Sequence, residues 1–145
     1  MRRLLGLVFV LSVAAFPAAA EVAGKRPHIV DGETLVLLGQ RVRLFGVDAP
    51  ALDQVCETGG EAWHCGQVAR WRLVERIGTN WVVCVEQSVD PDGTIAAQCY
   101  LGGRGGYDLN AWAVAKGWAL ARRSESPAFA EAEDQARTQR LGLWR

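Results

Sequence analysis

Two cysteines set symmetrically about a turn constrain this chain most. Residues 81–86 and 94–100 are rich in apolar and β-branched residues and read as strands. Between them, Asp90-Pro91-Asp92-Gly93 is a turn signal, because proline presets the turn's backbone angle and glycine closes it. The midpoint of Cys84 and Cys99 falls inside that turn. The two therefore face each other across a hairpin, where Cα separations suit a disulfide. Four cysteines allow three pairings. The hairpin selects Cys84–Cys99 and leaves Cys56–Cys65 to close a short loop. A zinc site would call for close C-x-x-C pairs, which the sequence lacks. Two disulfides are expected, and with them an oxidising compartment.

The N-terminus agrees with that compartment. Arg2 and Arg3 precede an apolar run from Leu4 to Phe16, and Ala18-Ala19-Ala20 supplies small residues for a cleavage site. This is the layout of a secretory signal peptide over residues 1–20, cut between Ala20 and Glu21. The run is too short to be a membrane anchor, which needs about 20 apolar residues. The remaining residues 21–145 make one domain, periplasmic or secreted, expected as a monomer with no membrane association. Removing two of the 16 basic residues and none of the 16 acidic ones leaves 14 against 16, a net charge of −2. That argues against tight nonspecific binding of nucleic acid, which depends on neutralising phosphates. Arg41 with Arg43, and Arg122 with Arg123, remain as local basic patches.

Along the chain, residues 27–30, 33–38 and 41–47 read as three strands, with Asp31-Gly32 and Gly39-Gln40 as turns. Residues 60–77 read as a helix with Ala62, Cys65, Ala69, Leu73 and Ile77 near one face and Gly78 at its end. After the hairpin, residues 101–107 offer a short third strand. Residues 108–118 then form a helix capped by Asp108. A last helix is expected to start at Ser126-Pro127 and to run to about Arg140. A five-stranded barrel with a helix after the third strand is the OB-type arrangement, giving an α+β domain with about three helices. His28 and His64 have no nucleophile beside them and read as surface or capping residues. The six tryptophans read as packing residues.

Four ordered motifs carry a resemblance. Val30-Asp31-Gly32-Glu33-Thr34-Leu35, Val42-Arg43-Leu44-Phe45-Gly46-Val47-Asp48-Ala49-Pro50, Gly106-Tyr107-Asp108-Leu109-Asn110 with Gly117-Trp118-Ala119, and the close from Ala132-Glu133 to Gly142-Leu143-Trp144 resemble the thermonuclease, or staphylococcal-nuclease-like, family. The resemblance runs from Val30 to Trp144. It implies a calcium-dependent phosphodiesterase acting on DNA and RNA on an OB-type barrel. In such an enzyme a hard cation and arginine forks offset the charge of the reacting phosphate, and a carboxylate orients water.

Carried over residue by residue, the resemblance makes Asp48 and Glu33 the calcium ligands. Glu33 stands where the family has aspartate. Arg43 becomes the first phosphate arginine. The glutamate expected after Asp48-Ala49-Pro50 is Ala51 here, and the second arginine, expected after the Asp90–Gly93 turn, is Thr94. A general base contributes about 10²–10⁴-fold and a charge-stabilising donor about 10²–10³-fold. The expectation is therefore a catalytically impaired nuclease homologue that binds nucleic acid or a protein partner, with weak calcium binding at most. A working calcium nuclease, with Asp53 or Glu57 in place of the base and Arg104 in place of the arginine, is the second reading. A structural accessory of the cell envelope is the third. Restoring Ala51→Glu and Thr94→Arg together is expected to restore cleavage at little cost in stability.

Overall fold

The computed structural model describes residues 18–145. The proposed signal peptide falls on residues 1–17 almost entirely, outside the described ones. The elements in chain order are β1 (Glu21–Lys25), β2 (His28–Ile29), β3 (Thr34–Leu37), β4 (Gln40–Leu44), β5 (Val47–Asp48), β6 (Cys56–Thr58), β7 (Glu61–Trp63), α1 (Cys65–Ile77), β8 (Trp81–Val89), β9 (Ile95–Leu101), β10 (Tyr107–Asp108), α2 (Leu109–Ala115), β11 (Leu120–Ala121) and α3 (Ala130–Thr138). A single 3-10 turn, Gly142–Trp144, follows.

The main sheet runs β1-β8-β9-β4-β3-β2, with β10 also paired to β9. All of its neighbours are antiparallel except β4 and β9, where Val42 lies opposite Ile95 in a parallel pair. This curled mixed sheet with three helices is the OB-type α+β fold that the motifs imply. Alternation along β4 puts Val42 and Leu44 into the core and leaves Arg41 and Arg43 on the other face. Helix α1 buries Ala69, Leu73 and Ile77 against the sheet, each large side chain contributing about 1.5–3 kcal/mol by burial.

Both disulfides are present, Cys84–Cys99 and Cys56–Cys65. Cys84 lies directly opposite Cys99 in the β8–β9 register, as the position of the turn requires. Among the described residues no helix is long and apolar enough to cross a membrane.

The structure differs from the sequence reading most in four places, and α2 also stops at Ala115, short of the expected Trp118. Residues 21–25 form a strand paired with β8. Residues 60–64 are not helical: β6 and β7 form a small hairpin about Gly59 and Gly60, both with positive φ, and α1 starts at Cys65. The strand expected over 41–47 is broken at Gly46, where φ is +72°, and β5 turns away to pair with β11. Helix α3 begins at Ala130, because the Ser126 hydroxyl accepts from the Ala128 N–H in a turn ahead of the helix. Asp108 does cap α2, accepting from the Ala111 N–H.

Candidate functional site

The site is assembled from three turns. In the first, Asp31 accepts from the N–H groups of Glu33 and Thr34 at 2.9 and 2.7 Å, which fixes the start of β3. A Cβ on Gly32 would come within 2.8 Å of Ala49 and 2.9 Å of Ala69, so only glycine lets this turn close against the second. The second turn leads through Gly46 into Val47-Asp48-Ala49. Pairing of Leu120 with Asp48 and Ala121 with Val47 then brings the chain after β11 against it. The third is the β8–β9 turn that carries Asp90.

Arg43, Arg122, Glu33, Asp48, Asp90 and Glu125 meet where these turns converge. Arg43 is satisfied by two carboxylates at once. Its Nε donates to Asp90 Oδ2 at 2.5 Å and its Nη2 to Asp90 Oδ1 at 2.8 Å. Its Nη1 and Nη2 donate to Glu125 Oε2 and Oε1 at 3.0 and 2.5 Å. The Arg43 side chain is 11% exposed. Its hydrogen bonds to Asp90 and Glu125 hold its pKa well above the ordinary arginine value. In turn Arg43 holds Asp90 below the usual carboxylate range. Burial pushes Glu125 upward, but the bonds from Arg43 and the Gly46 N–H outweigh it and leave Glu125 lowered.

Arg122 lies between the two acids assigned to calcium. Its Nη2 is 3.1 Å from Asp48 Oδ1 and 3.4 Å from Glu33 Oε1, and its Nη1 is 3.7 Å from Glu125. Glu33 uses its other oxygen to accept from the Ala49 N–H at 2.8 Å. Burial raises Glu33 from 4.5 to about 7, against the lowering effects of the Ala49 bond and Arg122.

A pH dependence follows. The Glu33 pKa is raised on folding, so its contribution to stability is complete below about pH 4.5 and is lost as pH rises through about 7. The Glu33→Gln variant is expected to lack that decline and to be more stable than wild type at pH 8 by about 1–3 kcal/mol. Urea melts of both proteins from pH 5 to pH 8 check this. Parallel curves would contradict it.

Residues 41–145 match the family described as staphylococcal nuclease homologues. The chain belongs to this family. It is 34% identical to the micrococcal nuclease of Shigella flexneri over 149 residues, covering 93% of this chain and 80% of the relative. It is 32% identical to protein ParB of Escherichia coli over 146 residues, covering 91% and 77%. It is also similar to the succinoglycan biosynthesis protein ExoI of Rhizobium meliloti (strain 1021), with 29% identity over 130 residues, covering 88% and 67%.

For this staphylococcal nuclease homologue, the structure brings Glu33, Asp48 and Arg43 together around Arg122 and Glu125. Ala51 is exposed, in the turn that follows Pro50. Thr94 is only 5% exposed, which corrects the expectation that an arginine there costs little stability. Its N–H donates to Asp92 and its carbonyl accepts from Asp90. The substitute residues do not join the cluster. Arg104 pairs with Glu21 at 2.9 Å, and neither Asp53 nor Glu57 shares a hydrogen bond or ion pair with any cluster member among the described residues. His28 and His64, both exposed, line one open groove of about 810 Å³ between β2 and α1, beside Leu52 and Trp71.

Three of the four arginines in the two basic patches are paired with acids, and Arg41 is exposed. Arg43 and Arg122 are engaged as above, and Arg123 donates to Glu133 and Asp134. Sequence reasoning missed the roles of Asp90, Glu125 and Arg122. Asp90 was visible only as a turn residue, and nothing near Glu125 in the chain points to Arg43.

The fit to a calcium ion is poor. Calcium takes 6–8 oxygen ligands at 2.3–2.6 Å. Among the described residues no group of three or more histidine, cysteine, aspartate or glutamate side chains comes together to hold a metal. Here two carboxylates share a guanidinium, and one of them has an oxygen bonded to backbone.

Proposed function

We propose that this nuclease-family domain is exported and catalytically impaired, and that it acts by binding nucleic acid or a partner with little or no phosphodiester hydrolysis. One observation carries the reading: Arg43, the arginine that would grip a phosphate, has four of its five N–H donors bonded to Asp90 and Glu125. Ala51 and Thr94 add to it, since neither position supplies the carboxylate or the arginine that the family resemblance puts there. Four carboxylates against two guanidiniums make the cluster formally negative, which disfavours a phosphodiester at that point. The groove next to it, about 350 Å³ and lined by Asp48, Gln54, Leu120 and Trp144 among others, is the surface for a ligand with apolar and neutral polar groups. The two disulfides support a compartment outside the cytoplasm, which fits a periplasmic or secreted protein.

The similarity to a protein named for succinoglycan biosynthesis favours one further reading, an accessory role in an envelope polysaccharide pathway. A labelled single-stranded DNA incubated with the purified protein, in calcium and in chelator, distinguishes the readings. Intact DNA in both, with or without a rise in anisotropy, is expected. Calcium-dependent cleavage that disappears in Asp48→Ala would establish the active-nuclease reading instead.

A further inference from the structure

We infer that Arg122 is the resident cation of the Glu33–Asp48 pair, a guanidinium built into the place that the family resemblance gives to a divalent metal. One donor, Nη2, lies within 3.4 Å of both carboxylates. The position is not that of a loose surface side chain. Leu120 and Ala121 pair with Asp48 and Val47, so the register delivers Arg122 next to the acids, and its own N–H donates to the Gly46 carbonyl at 2.9 Å. The side chain is 29% exposed. Burial works against its charge, and Glu33 and Asp48 outweigh that and raise it further above the ordinary arginine range.

Glu125 ties this cation to the other one. It accepts from Arg43 and from the Gly46 N–H and lies 3.7 Å from Arg122 Nη1. Moving Arg122 aside for a metal therefore disturbs the whole cluster. A calcium ion entering with Arg122 in place would also meet a like charge at ion-pair distance. Removing that repulsion is worth roughly 30-fold in affinity even at the screening of bulk water. The inference concerns cation binding and stands whether or not the protein cuts nucleic acid.

Calcium calorimetry, with terbium luminescence as a second probe, tests it on the purified protein. Wild type is expected to bind weakly. Arg122→Ala is expected to gain one site about 30-fold tighter, lost again when Asp48→Asn is added, while Arg122→Lys stays near wild type. Arg122→Gln repeats the measurement with a longer neutral side chain. Side-chain NMR of wild type needs no variant: the Arg122 guanidinium signal is expected to stay in place in millimolar calcium. Three results would overturn the inference: wild-type calcium affinity equal to that of Arg122→Ala and dependent on Asp48, no gain in folded Arg122→Ala and Arg122→Gln, or a wild-type Arg122 signal that moves as calcium saturates an Asp48-dependent site.

Discussion

The Asn110→Ala variant is expected to lose about 3–5 kcal/mol of unfolding free energy. Asn110 is fully buried, and its side chain bonds two stretches of backbone, strand β9 and the turn after β4. Its Oδ1 accepts from the Cys99 N–H at 2.9 Å, and its Nδ2 donates to the carbonyls of Phe45 and Ala97 at 2.9 and 3.0 Å. Ala97 keeps a second partner, the Phe45 N–H, but Cys99 and Phe45 each lose theirs on truncation. A buried backbone group left unpaired costs about 1–3 kcal/mol, and the vacated volume adds a cavity term. Asn110→Asp is isosteric, yet it sets an acceptor against two carbonyl oxygens and is expected to be as damaging. Urea unfolding followed by tryptophan fluorescence measures both. A loss below about 1 kcal/mol for Asn110→Ala would show that water or a neighbour takes over these bonds.

The largest expected change in activity comes from rebuilding three positions together. Ala51→Glu with Thr94→Arg returns the carboxylate and the second guanidinium, but leaves Arg122 on the acids and Arg43 still bonded to Glu125. That pair is expected to stay within about tenfold of background, a small fraction of what one catalytic group supplies. Adding Arg122→Ala is expected to bring calcium-dependent cleavage at least ~10²-fold above wild type, the lower end of what a single base or charge-stabilising donor contributes. The gains need not multiply. Thr94→Arg also gives Asp90 a second cation in its own turn, which loosens its hold on Arg43. Because Thr94 is buried, the variants need their melting points measured beside their rates. A triple variant that is folded, binds calcium and remains inert would place the remaining block at the Asp90–Arg43–Glu125 bonds.

How much of this could be read in the sequence depends on distance along the chain. The β8–β9 hairpin and its disulfide were legible because turn, strands and cysteines lie within about twenty residues. The Asp108 cap was legible because a cap acts over three residues. Strand β1 was not: residues 21–25 have little β character of their own and are strands only because β8 offers them an edge. The β6–β7 hairpin did carry a signal, the Gly59-Gly60 pair, which favours a tight turn. The helical spacing of Ala62 with Ala69 and Leu73 competed with it, and Ala62 proves to be exposed. For the site, Arg43, Glu33 and Asp48 sit in motifs. Their partners lie 47 to 89 residues away, in segments whose composition says nothing of ion pairing. The difference between an arginine free to grip phosphate and one bound to its own carboxylates exists only once the turns are packed.

The central claim is that Arg43 is held by the protein's own acids. Nitrogen-detected or 15N-edited NMR of its Nε–H group tests this most directly. The Nε–H should exchange slowly with solvent because Asp90 accepts from it, and its signal should not move when a dinucleotide is titrated in with calcium. In Asp90→Asn with Glu125→Gln the same signal should exchange faster and respond to the dinucleotide. A wild-type Arg43 Nε–H that exchanges freely and shifts on adding the dinucleotide would contradict the account, because the arginine would then be available to a phosphate and the site open.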